Sequence, residues 1–382
     1  MEQVIFERDG QALALADGRA SAEVAMSGDV PTLLARLGAM KPLVVSGGGL
    51  ARSGVAEEMA RRGMPVLHFD GFTPNPTAEQ VQAGLEMFRA NDCDGLLSIG
   101  GGSAIDVAKA IKAIGDTDDT LPLLERLTHP VPMDVPHVAL PTTAGTGSES
   151  THFATIYIGG KKYSVSHEKL LPEAAILDPA QLASLPDAER AATFLDALCH
   201  AIESYWSRRA TEESQAFSAQ AIRLLVANAD AYLRGDAAAA GAVMAASNFA
   251  GRAINLTTTT AAHAMCYQLT ALYGLRHGHA AAVCLPAAWA HLLEAGADDT
   301  ALQQTLTMLA QLLGGKTAQE GLEIFLALRR KAALDDAWLP EDERDLGLLA
   351  ASVNAQRLGN YPVSVTEDDL CEMYRRALWG WW

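Results

Sequence analysis

The stretch CDGLLSIGGGSAIDVAKAIKAI, residues 93–114, decides the fold. GLLSIG is an apolar run of strand length, and the AIDVAKAIKAI that follows has helical periodicity. Gly100-Gly101-Gly102-Ser103 thus turns a strand into a helix. Its unhindered backbone N–H groups sit at the positive helix end, where a pyrophosphate binds. For the motif alone, a tight turn without a ligand is the alternative, and the spacing is not the G-x-G-x-x-G dinucleotide fingerprint.

The same rhythm extends outward: PLVVSG at 42–47, a helical stretch at 51–63, PVLHFD at 65–70, helical stretches at 77–91 and 103–114, and HVALP at 137–141. Strands alternating with helices predict βαβ units and a parallel sheet. YIGGKKYSVS reads as a hairpin turning at Gly159-Gly160, and AAILDP at 174–179 as a last strand. From about residue 187 the pattern is nearly all helical, with stretches at 187–206, 211–233, 236–256, 260–273, 279–295, 299–313, 317–333, 342–356 and 367–379. The expected fold is an α/β dinucleotide-binding domain with a parallel sheet over residues 1–184, followed by an all-α domain over 185–382.

Bulk properties bound the function. A chain of 382 residues suits two domains. A net charge of −17 argues against a nucleic-acid or anionic-membrane partner, so an anionic substrate must meet a local cation. The five cysteines are scattered without a C-x-x-C pair, which favours reduced thiols over a disulfide framework or a thiolate zinc site. The opening MEQVIFERDG has no basic segment followed by an apolar one, and no run approaches a membrane span. The expectation is a soluble, cytoplasmic protein, with a homodimer as the assembly considered. WGWW at 379–382 fits a core or an interface equally.

A second polar segment, PTTAGTGSES at 141–150, also leaves a strand. Its hydroxyls and glycines suit phosphate and ribose oxygens, or a turn that caps a helix. In TFLDALCHAIESYW, Asp196 and His200 lie four apart on one helix face and can share one ion. His263 lies within a later helix, and His277 stands at the glycine-bracketed start of the next. One carboxylate and three imidazoles suit Fe(II) or Zn(II) better than the oxygen-seeking Mg(II) or Ca(II). His279 competes as fourth ligand or serves as a neighbouring donor. Each histidine alone reads as a hydrogen-bonded core residue; the spacing of the four makes the metal site.

Taken in order, CDGLLSIGGGSAIDVAKAI, PTTAGTGSES, ILDP at 176–179, DALCHAIES, His263 with His277 fourteen residues on, and HGHAAAVCLP resemble the iron-containing alcohol dehydrogenase family. That family also holds glycerol dehydrogenases and, more remotely, dehydroquinate synthases. The resemblance spans nearly the whole chain and implies this two-domain fold, with the four metal ligands on the helical domain. It implies Gly101, Gly102 and Ser103 at the pyrophosphate with Asp106 near it, Thr142, Thr143, Thr146 and Ser148 around the nucleotide, and Lys162 beside a ribose.

Two departures carry weight. Where many NAD-preferring relatives place an acid after the first strand, this chain has Gly47, an uncharged position that admits a 2′-phosphate. NADPH is therefore expected, with NADH the alternative. Tyr267 stands where many members have a histidine thought to relay protons; its hydroxyl can still donate, and exchange through water and ribose hydroxyls is the substitute route.

The chemistry implied is hydride transfer between a nicotinamide and a small aldehyde or primary alcohol, with a divalent ion polarising the carbonyl oxygen. No Ser-His-Asp or Cys-His set is evident, and Cys199 and Cys266 read as packing residues. SESTHFATIY, ASNFAGRAIN and TTAAHAMCYQLTALYG look most like the phosphonoacetaldehyde reductase branch, which makes 2-hydroxyethylphosphonate. A phosphonate needs cations. Arg252, a charge in the apolar AGRAIN, and His152 are the substrate candidates; an ion pair is the other reading of Arg252. Reduction of uncharged aldehydes or oxidation of diols is the rival within the family. A dehydroquinate-synthase-like lyase and a non-enzymatic nucleotide-binding protein are the rivals outside it.

Overall fold

The computed structural model describes residues 4–7, 30–334, 343–353 and 355–380. Trp381 and Trp382 of the C-terminal tryptophan cluster lie outside them. The chain divides into two compact units, one of residues 1–143 and 147–184, the other of residues 144–146 and 185–382.

The first unit runs β1 (Val4–Glu7), α1 (Val30–Arg36), β2 (Pro42–Ser46), α2 (Gly49–Ser53), α3 (Val55–Arg61), β3 (Leu67–Phe69), α4 (Ala78–Ala90), β4 (Gly95–Gly100), α5 (Gly102–Ile114), α6 (Leu123–Thr128), β5 (His137–Pro141), β6 (Phe153–Ile158), β7 (Lys161–Ser166) and β8 (Ala174–Leu177). Six strands form one parallel sheet in the order β1-β8-β5-β4-β2-β3. Strands β2, β4, β5 and β8 are buried throughout, as a sheet covered on both faces requires. Because side chains alternate along a strand, Leu43 and Val45 face one core with α4 and α5, while Val44 faces a second with α1 and α3. The antiparallel β6–β7 hairpin turns at Gly159 and Gly160, both at positive φ, the backbone shape that glycine adopts without steric cost.

Local pattern misjudged some elements. The helix expected over 51–63 is two helices, because Gly54 adopts φ 72° and breaks the backbone ladder. Strand β1, not anticipated, exists through parallel pairing with β8 some 170 residues away in sequence. Helix α6 was likewise not anticipated.

The second unit is helical among its described residues: α7 (Asp187–Trp206), α8 (Glu212–Leu233), α9 (Ala240–Thr257), α10 (Ala261–Tyr273), α11 (His277–Ala295), α12 (Thr300–Leu313), α13 (Ala318–Lys331), α14 (Leu346–Ala351), α15 (Ala355–Leu358) and α16 (Glu367–Trp379). Side-chain caps at Thr211, Asp299, Thr317 and Thr366 start α8, α12, α13 and α16 where the sequence predicts. The helix expected from 279 starts two residues earlier, at His277, and the one expected over 342–356 is two short helices. Among the described residues no helix is long and apolar enough to cross a membrane.

Candidate functional site

Asp196 and His200 project from the same face of α7, one turn apart. His263 comes from the first turn of α10 and His277 is the first residue of α11. These ends reach α7 because of Gly278: a Cβ there would lie 2.0 Å from the Ala192 carbonyl oxygen and 2.6 Å from Asp196 Cβ, so only glycine permits the approach. Around Asp196 Oδ1 the Nε2 atoms of His263, His200 and His277 lie at 3.4, 3.9 and 4.0 Å. Asp196, His263 and His277 each offer a ligand atom within 4.8 Å of the others'. His200 stands just outside that trio, its ring stacked on His263 at 4.4 Å between centroids. Ligand pairs around one ion at about 2.1 Å are roughly 3.0–3.5 Å apart, so small side-chain rotations bring this donor set onto Fe(II) or Zn(II).

The imidazoles are held by their other ring nitrogens. The Nδ1–H of His200 donates to the Gly145 carbonyl at 3.2 Å, and that of His263 to Glu203 Oε2. Both assignments leave Nε2 facing Asp196. Glu203, one turn beyond His200 on α7 and completely buried, also accepts from Thr260 N (3.0 Å), Thr260 Oγ1 (2.7 Å), Ala262 N (3.0 Å) and His263 N (3.4 Å). Its carboxylate thereby caps the amino end of α10, which has no cap of its own from Thr260.

Charge follows this geometry. Burial opposes ionisation of Asp196, but the imidazoles of His200, His277 and His263 hold its carboxyl well below the usual range. Burial likewise opposes a charged His263, yet Glu203 and Asp196 lift it to about 9, while burial pulls His200 down to about 4 despite Asp196. Two buried carboxylates sharing one imidazolium form a cluster in which a divalent cation replaces a proton.

Sequence reasoning missed Glu203, although the run D-x-x-x-H-x-x-E puts it on the Asp196–His200 face. It also read Cys266 as packing alone; the Cys266 sulfur is 3.6 Å from His277 Nδ1. His279 is buried on α11 outside the close trio. Tyr267 stacks on His277 with ring centroids 5.5 Å apart and 11° between planes, and Arg357 lies over Tyr267 with its guanidinium carbon 5.3 Å from the ring centroid. Burial raises the Tyr267 hydroxyl well above its ordinary value, so it keeps its proton at working pH.

In the first unit, β4 ends at Gly100 and α5 opens at Gly102, with Gly101 as its extended cap and Ser103 in its first turn. Gly100 pairs with Pro141, and a Cβ on Gly101 would be 3.3 Å from Thr143 Oγ1, so the glycine turn and Thr142-Thr143 are brought together. Ser148 and Asp106 are tied inward instead: Ser148 Oγ donates to Asp106 Oδ1 at 2.6 Å, and Asp106 Oδ2 accepts from Thr155 N at 2.9 Å. Buried Lys109 donates to Ser148 Oγ (3.0 Å), Thr151 Oγ1 (2.9 Å) and the Phe153 carbonyl (2.9 Å), and burial pulls its ammonium down to about 8. Lys162, on β7, lies near enough to Asp106 to favour its ionised form. Thr146 belongs to the three-residue piece of this segment counted with the helical unit.

Gly47 follows β2 with open space where a side chain would project. At the next glycine a Cβ would meet Arg52 Nη1 at 2.7 Å, so a guanidinium folds back over the β2–α2 turn; the sequence reading did not select Arg52. Arg252, half-buried on α9, lies over the Phe217 ring at 5.6 Å and donates to Asn248 Oδ1 at 3.2 Å. His152 sits edge-on to Phe153 in the first unit.

The chain matches the models of iron-containing alcohol dehydrogenase over residues 23–179 and of the C-terminal domain of the Fe-containing alcohol dehydrogenase family over residues 190–378. It is 34% identical to the 1,3-propanediol dehydrogenase of Citrobacter freundii over 89% of this chain and 92% of that one. It is 37% identical to the phosphonoacetaldehyde reductase of Streptomyces viridochromogenes over 68% of this chain and 70% of that one. The solved sulfoacetaldehyde reductase of Bifidobacterium kashiwanohense, in complex with NAD+, superposes with a TM-score of 0.84 at 27% identity, covering 99% of this chain and 97% of that one. These matches set aside the lyase and non-enzymatic alternatives: the chain belongs to the iron-containing alcohol dehydrogenase family and is an oxidoreductase of that family.

Proposed function

We propose that this enzyme reduces a small anionic aldehyde, phosphonoacetaldehyde, to the primary alcohol 2-hydroxyethylphosphonate, using NADPH and Fe(II), with Zn(II) as the alternative ion. The observation that carries the chemistry is the convergence of Asp196, His200, His263 and His277 on one carboxylate oxygen. When bound, the ion supplies Lewis-acid polarisation of the carbonyl oxygen and the nicotinamide supplies the hydride. The chain does the rest. Asp196 contributes the negative charge of the ligand set; Glu203 and Gly145 orient His263 and His200 with Nε2 inward. Tyr267, stacked on His277, holds a proton at Oη that can be handed to the product oxygen.

Three features support the finer reading. The phosphonoacetaldehyde reductase of Streptomyces shares 37% of matched residues. Gly47 leaves the ribose-binding turn uncharged, and Arg52 lies over the next glycine, a pairing that suits the 2′-phosphate of NADPH. Gly101, Gly102, Ser103, Thr142, Thr143, Thr146 and Ser148, with Asp106 and Lys162 beside them, are assigned to the dinucleotide, and Arg252 and His152 are carried as candidate substrate cations.

The rival is oxidation and reduction of uncharged alcohols and aldehydes, favoured by the longer match, 89% of this chain, to a 1,3-propanediol dehydrogenase. Oxidation of NADPH and of NADH by metal-free, Fe(II)- and Zn(II)-loaded protein, offered phosphonoacetaldehyde, succinic semialdehyde and propanal, separates the readings. Phosphonoacetaldehyde should have the highest kcat/KM. Preference for propanal would establish the rival.

A further inference from the structure

Beside the ligand set the charge is wrong for an anionic substrate: Asp196 and Glu203 are both acids and both buried. An aldehyde with an anionic head is repelled there unless a cation stands close to the ligands. Arg252 does not answer to this, since its contacts are Phe217 of α8 and Asn248 of its own helix. Arg357 does. It lies against one face of the Tyr267 ring, and Tyr267 stacks on His277, so a single aromatic ring separates the guanidinium from a metal-ligating imidazole.

The guanidinium is fixed in place. Its Nη1 donates to Thr259 Oγ1, a buried hydroxyl in the loop joining α9 to α10. That loop is held in an uncommon shape: Thr258 has φ 59° and ψ 179°, a region a β-branched residue rarely enters. Asn360, buried, keeps it so by donating from Nδ2 to the Thr257 carbonyl, to Thr258 Oγ1 at 3.1 Å and to the Thr259 carbonyl at 3.3 Å. Glu203 holds the loop's far end at Thr260. The segments 257–260 and 357–360 thus lock together around one arginine, and the same loop leads into the helix that carries His263.

We infer that Arg357 is the specificity-determining residue of the substrate pocket, its guanidinium binding the oxyanion head of a short aldehyde whose carbonyl faces the ligand set. A planar guanidinium has five N–H donors, so it can serve Thr259 and a tetrahedral oxyanion together, which an ammonium does less well. The substrate class is then small aldehydes ending in phosphonate or sulfonate. This inference rests on the anionic-substrate reading above.

The test is the ratio of kcat/KM for phosphonoacetaldehyde to that for propanal, measured with metal-loaded wild type, Arg357→Gln and Arg357→Lys. Calorimetric binding of methylphosphonate to the metal-free proteins accompanies it. Loss of one charge-assisted contact predicts a ratio lower by about 10- to 100-fold in Arg357→Gln, carried by KM, with part retained in Arg357→Lys, and methylphosphonate binding weakened in parallel. A wild type that prefers the anionic aldehyde, with the ratio and methylphosphonate binding unchanged in Arg357→Gln, overturns the role of Arg357 and leaves the substrate reading standing. A wild type with no such preference overturns both. Should Arg357→Gln not fold, the Lys variant decides: a ratio and methylphosphonate affinity equal to wild type would overturn the role, because the fork geometry is lost while the charge is kept.

Discussion

Glu203 touches no reacting atom, yet it ties metal binding to the folding of α10. Replacing it with alanine leaves Thr260 N, Thr260 Oγ1, Ala262 N and His263 Nδ1 without their buried acceptor. Removing one partner from a buried charged pair costs about 3–5 kcal/mol, a large part of a domain's stability. Glu203→Gln separates the two tasks. The amide oxygen still accepts from the α10 amides, so the metal-free protein should lose only about 1–2 kcal/mol. The charge that orients and raises the basicity of His263 is gone, and metal affinity should fall about 10- to 100-fold. Chelator competition with Zn(II) on the metal-free proteins reads the affinity, and urea denaturation of the same samples reads the stability. Glu203→Gln protein that binds Zn(II) as tightly as wild type would refute the argument, whatever its activity. Loss of several kcal/mol in Glu203→Gln, as large as in Glu203→Ala, would show that the charge and not the acceptor geometry caps α10.

Gly278→Ala should push α11 away from α7, because the new methyl meets the Ala192 carbonyl at 2.0 Å; a loss of about 3 kcal/mol and of bound metal together is expected from denaturation and metal analysis. Arg52→Ala should raise KM for NADPH by about 10-fold while leaving that for NADH nearly as it was, and equal effects on both cofactors would count against a 2′-phosphate role. Burial pushes the Cys93 thiol from 9.0 up to about 11. Its folded state therefore holds the proton more tightly than the unfolded chain, a contribution complete below pH 9 and lost as pH rises through 11. Urea midpoints of wild type and Cys93→Ala at pH 8 and pH 10.5 should draw together at the higher pH, and a constant gap would contradict the assignment.

Much of the site was legible in the chain because its determinants are local. Glycines between an apolar run and a periodic one mark the β4–α5 turn, since other residues strain that backbone. Asp196 and His200 share a face because a helix repeats every 3.6 residues, whatever surrounds it. Capping threonines and aspartates placed four helix starts for the same reason. Tertiary packing alone decided the remainder. Strand β1 became a strand only by pairing with β8, and Glu203 became a partner of His263 only because α7 and α10 meet sixty residues apart in sequence. Ser148 and Asp106, which by type suit a bound phosphate, bond to each other and to buried Lys109. Arg357 acquired a place beside His277 through the stacked ring of Tyr267. A local pattern reports what a residue can do with its near neighbours. Which distant group desolvates it, orients it or lends it charge is set by how helices and strands pack, and that appears only in three dimensions.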